Sequence, residues 1–268
     1  MKDIRFITRA DDGGSSRSAN IAMQRIAENG IIKNFSIMAP GAFCEDLYGR
    51  MGARTDVCFG LHHTLNAEWD RVKWGPVSGI PADSPLTDAH GFFRADPRDF
   101  AGTKPDPALI VKEASAQLDK LTRIGFDIKY MDSHMFPECF IPGMDEALQE
   151  FMQAKGLIDH MYFYNLPPGF LEVARGEGSV IQTLLHLPEG QFFTVAHPAQ
   201  ASAEMLLTGN AAVSGEKVCR GRNLEAKLYA SRITKALLQR LGITALRYDE
   251  AVPGERARVS DLLVFFKE

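Results

Sequence analysis

The sequence has few cysteines, no run of basic residues and no long hydrophobic stretch, and each absence narrows what the protein can be. Its four cysteines, Cys44, Cys58, Cys139 and Cys219, show no C-x-x-C spacing, which argues against a zinc knuckle or a dithiol redox centre. They are expected to be reduced and mostly buried. No stretch approaches the ~20 apolar residues of a membrane span. The apolar run within Met1 to Asp12 is far shorter than the core of a secretory signal and is broken by Asp3 and Arg5. A cytoplasmic soluble protein with no membrane partner is therefore expected. The 30 Lys and Arg against 34 Asp and Glu give a net charge of −4. Without a basic cluster, that balance lacks the electrostatic footprint of a nucleic-acid-binding protein.

The 268 residues fit one large domain, here taken as 1–268, that buries roughly three-quarters of its open-chain surface. No metal is needed merely to hold such a core together. A metal site, if there is one, belongs to function.

Along the chain, β-favouring runs alternate with amphipathic ones. Ile4 to Thr8 reads as a strand that stops at Arg9-Ala10-Asp11-Asp12-Gly13-Gly14. A helix carrying Ile21, Met23, Ile26 and Ala27 follows, capped by Ser15 or Ser16 and closed at Asn29-Gly30. Further strands are expected at Phe35 to Ala39, Val57 to Leu61, Asp127 to Asp132 and Phe192 to Ala196. Helices are expected at Phe43 to Met51, Pro107 to Arg123, Gly143 to Lys155 and Asn223 to Leu241. This alternation predicts an α/β fold with a parallel sheet or barrel. Periodicity fails from about 66 to 107, a stretch holding Trp69 and Trp74 that reads as a long loop, either a lid or disordered. It is weak again around Ile158 to Leu187.

The polar residues of interest fall at one kind of place, the C-terminal ends of expected strands, which is where α/β folds bind ligands. Asp11-Asp12 follows the first strand, His62-His63 another, Asp132-Ser133-His134 a third and His197 a late one. Singly, each has an ordinary explanation. Asp before Gly-Gly suits a turn, and adjacent strand residues such as His62 and His63 point to opposite faces, so at most one serves as a ligand. Together, one carboxylate and two imidazoles make an open shell for a divalent cation. A neighbouring Asp can act as a base toward water, and a further His can protonate a leaving amine. His90, His160 and His186 lie outside the pattern.

These blocks resemble a known family. Arg9-Ala10-Asp11-Asp12-Gly13-Gly14, Gly60-Leu61-His62-His63-Thr64-Leu65, Asp132-Ser133-His134, His197-Pro198 and Arg222-Asn223-Leu224-Glu225 look like the signature blocks of the YdjC-like carbohydrate deacetylases, in the same order over about residues 3 to 248. The resemblance implies a single-domain, distorted (β/α) barrel of the polysaccharide-deacetylase type. It also implies metal-dependent removal of acetyl groups from N-acetylated sugars such as chitooligosaccharides. On it, Asp12, His62 and His134 would hold one divalent ion, magnesium or zinc. Asp11 would be the base, and His197 the acid or transition-state stabiliser. Arg222 and Glu225 would support the site or form an i,i+3 surface ion pair. The chain also departs from the pattern: Tyr130 and Phe136 stand where many members carry histidine, Gly13 replaces a phenylalanine and His63 a leucine.

Substrate contacts are expected from Trp69, Trp74, Phe136 and Arg222, the tryptophans either stacking on a sugar or packing the loop. Two other functions share the same residues. One is a non-catalytic or regulatory sugar-binding protein on the same barrel. The other is a non-haem iron oxygenase, ranked lower because such enzymes usually use antiparallel frameworks. The apolar segment Asp261 to Phe266 could pair with a second copy, giving a homodimer, or pack on its own barrel.

Overall fold

The computed structural model describes residues 3–174 and 180–266. Residues 1–2, 267–268 and 175–179, the last within the weakly periodic stretch 158–187, lie outside the described residues. Strand β1 (Ile4–Gly13) leads through helix α1 (Arg17–Asn29) to β2 (Asn34–Ile37), α2 (Cys44–Met51) and β3 (Cys58–His63). After the long connection come α3 (Phe100–Thr103), α4 (Pro107–Ile124), β4 (Ile128–Ser133), α5 (Met144–Lys155) and β5 (Ile158–Asp159). The chain continues through α6 (Phe170–Ala174), α7 (Val180–His186), β6 (Gly190–Ala196), α8 (Gly215–Tyr229), α9 (Arg232–Arg240), β7 (Ile243–Leu246) and α10 (Val259–Leu262).

The seven strands form one parallel sheet in the order β5-β4-β3-β2-β1-β6, with β7 also on β1. One edge of β1 carries β6 from Ile4 to Ala10. The other is shared, β7 along Ile4 to Ile7 and β2 from Arg9 onward. Among the described residues β5 does not pair with β6, so the barrel is a curled, open half-barrel. Chain segments rather than a strand fill the gap. Phe193 N–H donates to Asn165 O at 2.7 Å, while Gly254 and Ala257 donate to Tyr162 O and Met161 O at 2.7 and 2.9 Å. Arg256 then ties this C-terminal strap to Asp145 and Asp159. The Asp261 to Phe266 segment thus packs on its own chain, Phe265 against Phe136 and Phe266 against Phe140.

Helix α1 forms as its sequence dictates. Ser16 accepts a hydrogen bond from Ala19 N–H, Gly30 closes the helix in the left-handed region at φ 76°, and Ala19, Ala22, Met23, Ile26 and Ala27 are buried. The expected single helix Asn223 to Leu241 is two helices. Ser231 accepts from Ile233 and Thr234 N–H and starts α9 afresh, while α8 begins eight residues earlier than expected, capped by Ser214. The short strands β5 and β7 carry too few residues to show a period and were not expected from the sequence. The 64–96 connection is ordered by packing. Leu86 and Phe93 are buried, and Glu113 on α4 accepts from Val77 and Ser78 N–H at 2.8 and 2.9 Å. The four cysteines are free, and all but the half-buried Cys139 are buried.

Candidate active site

Adjacent residues of a strand should point to opposite faces, yet Asp11 and Asp12 line the same cleft. A bulge in β1 between Ala10 and Gly13 and a left-handed backbone at Asp12, φ 66°, turn the second carboxylate round. The expected turn at Asp11-Asp12 is therefore the bulged end of a longer strand. Gly13 fits this crowding, since a Cβ there would lie 2.9 Å from Leu47 and 3.1 Å from the Ser36 carbonyl.

Strand register places the histidines. His62 on β3 lies beside Asp132 on β4, and His63 beside Ser133. His134, two residues beyond Asp132 and so on the same face, is fixed where its N–H donates to His63 O at 2.9 Å. His62 Nε2 and His134 Nδ1 each lie 3.5 Å from Asp12 Oδ1 and 3.3 Å from one another. His63 is buried away from them with neither ring nitrogen hydrogen-bonded.

Those three atoms meet the requirements of a cation site. Metal–ligand bonds of about 2.1 Å in a tetrahedron separate ligand atoms by roughly 3.4 Å, close to the distances here. Asp12 Oδ1 is buried with no hydrogen-bond partner, while its Oδ2 accepts from Arg222 Nη1 at 2.5 Å. The far nitrogen of each imidazole meets a carboxylate, His62 Nδ1 with Asp132 Oδ1 at 2.8 Å and His134 Nε2 with Glu68 Oε2 at 3.0 Å. With those nitrogens protonated, the inward lone pairs are free to bind a metal, the arrangement that orients metal-binding histidines generally. Burial disfavours charge on His62, but Asp132 and Asp11 outweigh it and push the imidazole up to about 10. Burial likewise opposes charging His134, and Glu68 and Asp12 push it up to about 9. Burial alone would raise Asp12, yet Arg222 and the two imidazoles hold it well below the usual carboxylate range. The field at this point favours positive charge.

Arg9, 2% exposed, organises the carboxylates. Its Nε and Nη2 donate to both oxygens of Asp11 at 2.7 and 2.8 Å, and Nη1 lies 2.6 Å from Asp132 Oδ2. Its guanidinium also sits 4.8 Å above the Phe193 ring. Asp132 further accepts from Ser36 Oγ at 2.7 Å, and although burial would raise its pKa, Arg9 and His62 bring it far below the ordinary value. The strand period places Arg9 on the face of Asp11, a signal present in the sequence. Glu68 lies in the irregular loop, where no periodicity could single it out.

His197, just past β6, lines the same cleft of about 640 Å³ and is half-buried. Its backbone N–H donates to Glu225 Oε2 at 2.6 Å. Arg222 and Glu225, one turn apart on α8, thus brace Asp12 and His197 respectively, in place of a mutual surface ion pair. Trp69 lines the cleft with Arg222 5.9 Å above its ring. Trp74 is buried, donates from Nε1 to Asn66 O at 2.5 Å and packs edge-on against His134 at 6.1 Å. It faces a smaller inner cavity of about 180 Å³ rather than the main cleft. Phe136 lines the main cleft from a left-handed backbone, φ 50°, as does Met135 at φ 59°. Consecutive left-handed non-glycine residues are costly and collect at functional sites.

Known proteins resemble this chain in sequence and in fold. Over 163 residues, 60% of this chain and 58% of the other, the sequence is 27% identical to a carbohydrate deacetylase of Thermoanaerobacter pseudethanolicus. Over 133 residues, 49% of this chain and 48% of the other, it is 29% identical to a carbohydrate deacetylase of Vibrio cholerae serotype O1. The chain spans about half the length of the curated relatives it matches. A solved protein of Enterococcus faecalis, provisionally described as acting in cellobiose-phosphate cleavage, superposes with a TM-score of 0.70 at 16% identity, covering 92% of this chain and 98% of that one. At that identity the likeness establishes the shared fold. The model of the family described as YdjC-like protein matches residues 5–240, a span that takes in every residue of the cleft's polar wall, and the chain belongs to that family.

Proposed function

We propose that the protein is a metal-dependent hydrolase that removes acetyl groups from N-acetylated sugars of the chitooligosaccharide type. The carrying observation is the convergence of Asp12 Oδ1, His62 Nε2 and His134 Nδ1 at 3.3–3.5 Å beside an Asp11 carboxylate held by Arg9. The relatives named carbohydrate deacetylases support it.

Asp12, His62 and His134 would hold one divalent ion, magnesium or zinc. Held there, the ion would supply Lewis acidity toward the acetamide carbonyl. Asp11, fixed by two hydrogen bonds from Arg9, accepts a proton from the water that attacks the carbonyl carbon. The new C–O bond and the breaking C–N bond share that carbon, and the nitrogen leaves only once protonated. His197, lining the same cleft, supplies that proton, giving acetate and a free amine. The mild net charge suits a neutral sugar.

The test is acetate release from N,N′-diacetylchitobiose with added magnesium or zinc. Wild type is expected to turn over, with Asp11→Asn and His134→Ala at least 100-fold slower. Equal rates in wild type and variants would overturn the assignment.

A further inference from the structure

The cleft lining divides by chemistry. Its polar wall holds Asp11, Asp12, His62, His134 and His197, and another part of the lining is apolar and built around three rings, Phe136, Tyr164 and Phe265. Phe136 and Phe265 stack with centroids 5.5 Å apart and planes inclined 30°, and Tyr164 stands edge-on to each at 6.3 Å. Phe265 belongs to the C-terminal strap and is 36% exposed. Phe136 follows His134 by two residues on a left-handed backbone, so the cluster's place relative to the polar wall is fixed.

A sugar-stacking platform offers one open ring face with hydrogen-bonding groups around it. Here a face of Phe136 is covered by Phe265, and the edge-on Tyr164 makes a box rather than a platform. Phe170 and Met135 extend the same wall, neither offering a donor to a hydroxyl. Apart from the Tyr164 hydroxyl, the cluster offers a sugar hydroxyl no partner. Most hydroxyls seated here would lose water without replacement, a cost that apolar groups escape. Both positions after His134 carry apolar side chains, Met135 and Phe136, at a backbone conformation that costs stability.

From this we infer that the cleft carries an apolar subsite, formed by Phe136, Tyr164 and Phe265, that takes an alkyl or aryl aglycone attached to the sugar whose amide lies at the polar wall. Within that reading, the preferred substrate is then an N-acetylated sugar that carries an apolar aglycone, taken in preference to the bare chitooligosaccharide. The inference rests on the deacetylase reading for the position of the amide, but the subsite can be tested without it.

The experiment uses the full chain with methyl, butyl, hexyl and octyl β-glycosides of N-acetylglucosamine, measuring acetate release. Burial of each methylene is expected to lower KM about threefold, until the wall is covered, with kcat nearly constant, so that octyl exceeds methyl about 30-fold or more in kcat/KM. Phe265→Ala should flatten that slope and Phe265→Trp should keep it. Equal KM across the wild-type series, or an unchanged slope in Phe265→Ala, would overturn the subsite while leaving deacetylation standing. Calorimetric binding of octyl β-glucoside, which has no amide, separates the two failures. Tighter binding of octyl than methyl β-glucoside, weakened in Phe265→Ala, supports the subsite even if no acetate is released. No difference between the two glucosides rejects it.

Discussion

Replacing Arg9 by methionine isolates the central electrostatic element of the site. Among the described residues, Arg9 supplies both hydrogen bonds made to the Asp11 carboxylate and one of three polar contacts to Asp132, and all three residues are at most 3% exposed. Asp132 keeps Ser36 and His62, whereas Asp11 is left buried without its partner. Breaking a buried ion pair from one side costs about 3–5 kcal/mol. For a chain of 268 residues the unfolding entropy is about 0.6 kcal/mol per degree near the midpoint, so Tm should fall by about 5–8 °C. Acetate release should fall about 100-fold or more, because the proposed base loses its orientation as well as its counter-charge. Arg9→Lys restores charge but not the two-pronged geometry. It should recover part of the Tm and little of the rate. Differential scanning calorimetry and acetate release on the same preparations are the assays. A methionine variant that melts within 1 °C of wild type and keeps its rate would refute the reasoning.

Three further outcomes follow from individual side chains. Burial pushes the Glu138 carboxyl up to about 7 from 4.5, against the lowering effect of Ser133, and one of its oxygens has no partner. A carboxyl raised on folding contributes stability below the unfolded value that is lost as pH rises through the folded one. Wild type should therefore lose up to about 3 kcal/mol between pH ~4.5 and ~7 that Glu138→Gln does not lose, read by urea unfolding across pH. His63→Leu removes two buried, unpaired ring nitrogens and should raise Tm by about 2–4 °C with metal stoichiometry unchanged. Glu68→Gln removes the charge that orients His134 Nε2 and should weaken zinc binding about 10–100-fold by competition with a chelator.

How much of this was legible in the sequence depended on the range of the forces involved. Helix α1 and strands β3 and β4 were readable because their caps and apolar periods are local. The convergence of His62 and His134 was visible only as a shared position at strand ends, and register, which sequence does not state, closed the distance. The reversal of Asp12 depends on a bulge set by neighbouring strands and helices. Glu68 and the packing of Trp74 depend on Glu113, distant in sequence, holding the loop. The division of the last long helix is signalled by Ser231, whose hydroxyl caps the start of α9.

The most direct measurement is a crystal structure of the protein grown with zinc, with the ion located by its anomalous signal. The account requires one ion about 2.0–2.2 Å from Asp12 Oδ1, His62 Nε2 and His134 Nδ1, lost in His134→Ala. An ion bound elsewhere, or zinc in excess leaving those three atoms without a metal, would contradict it.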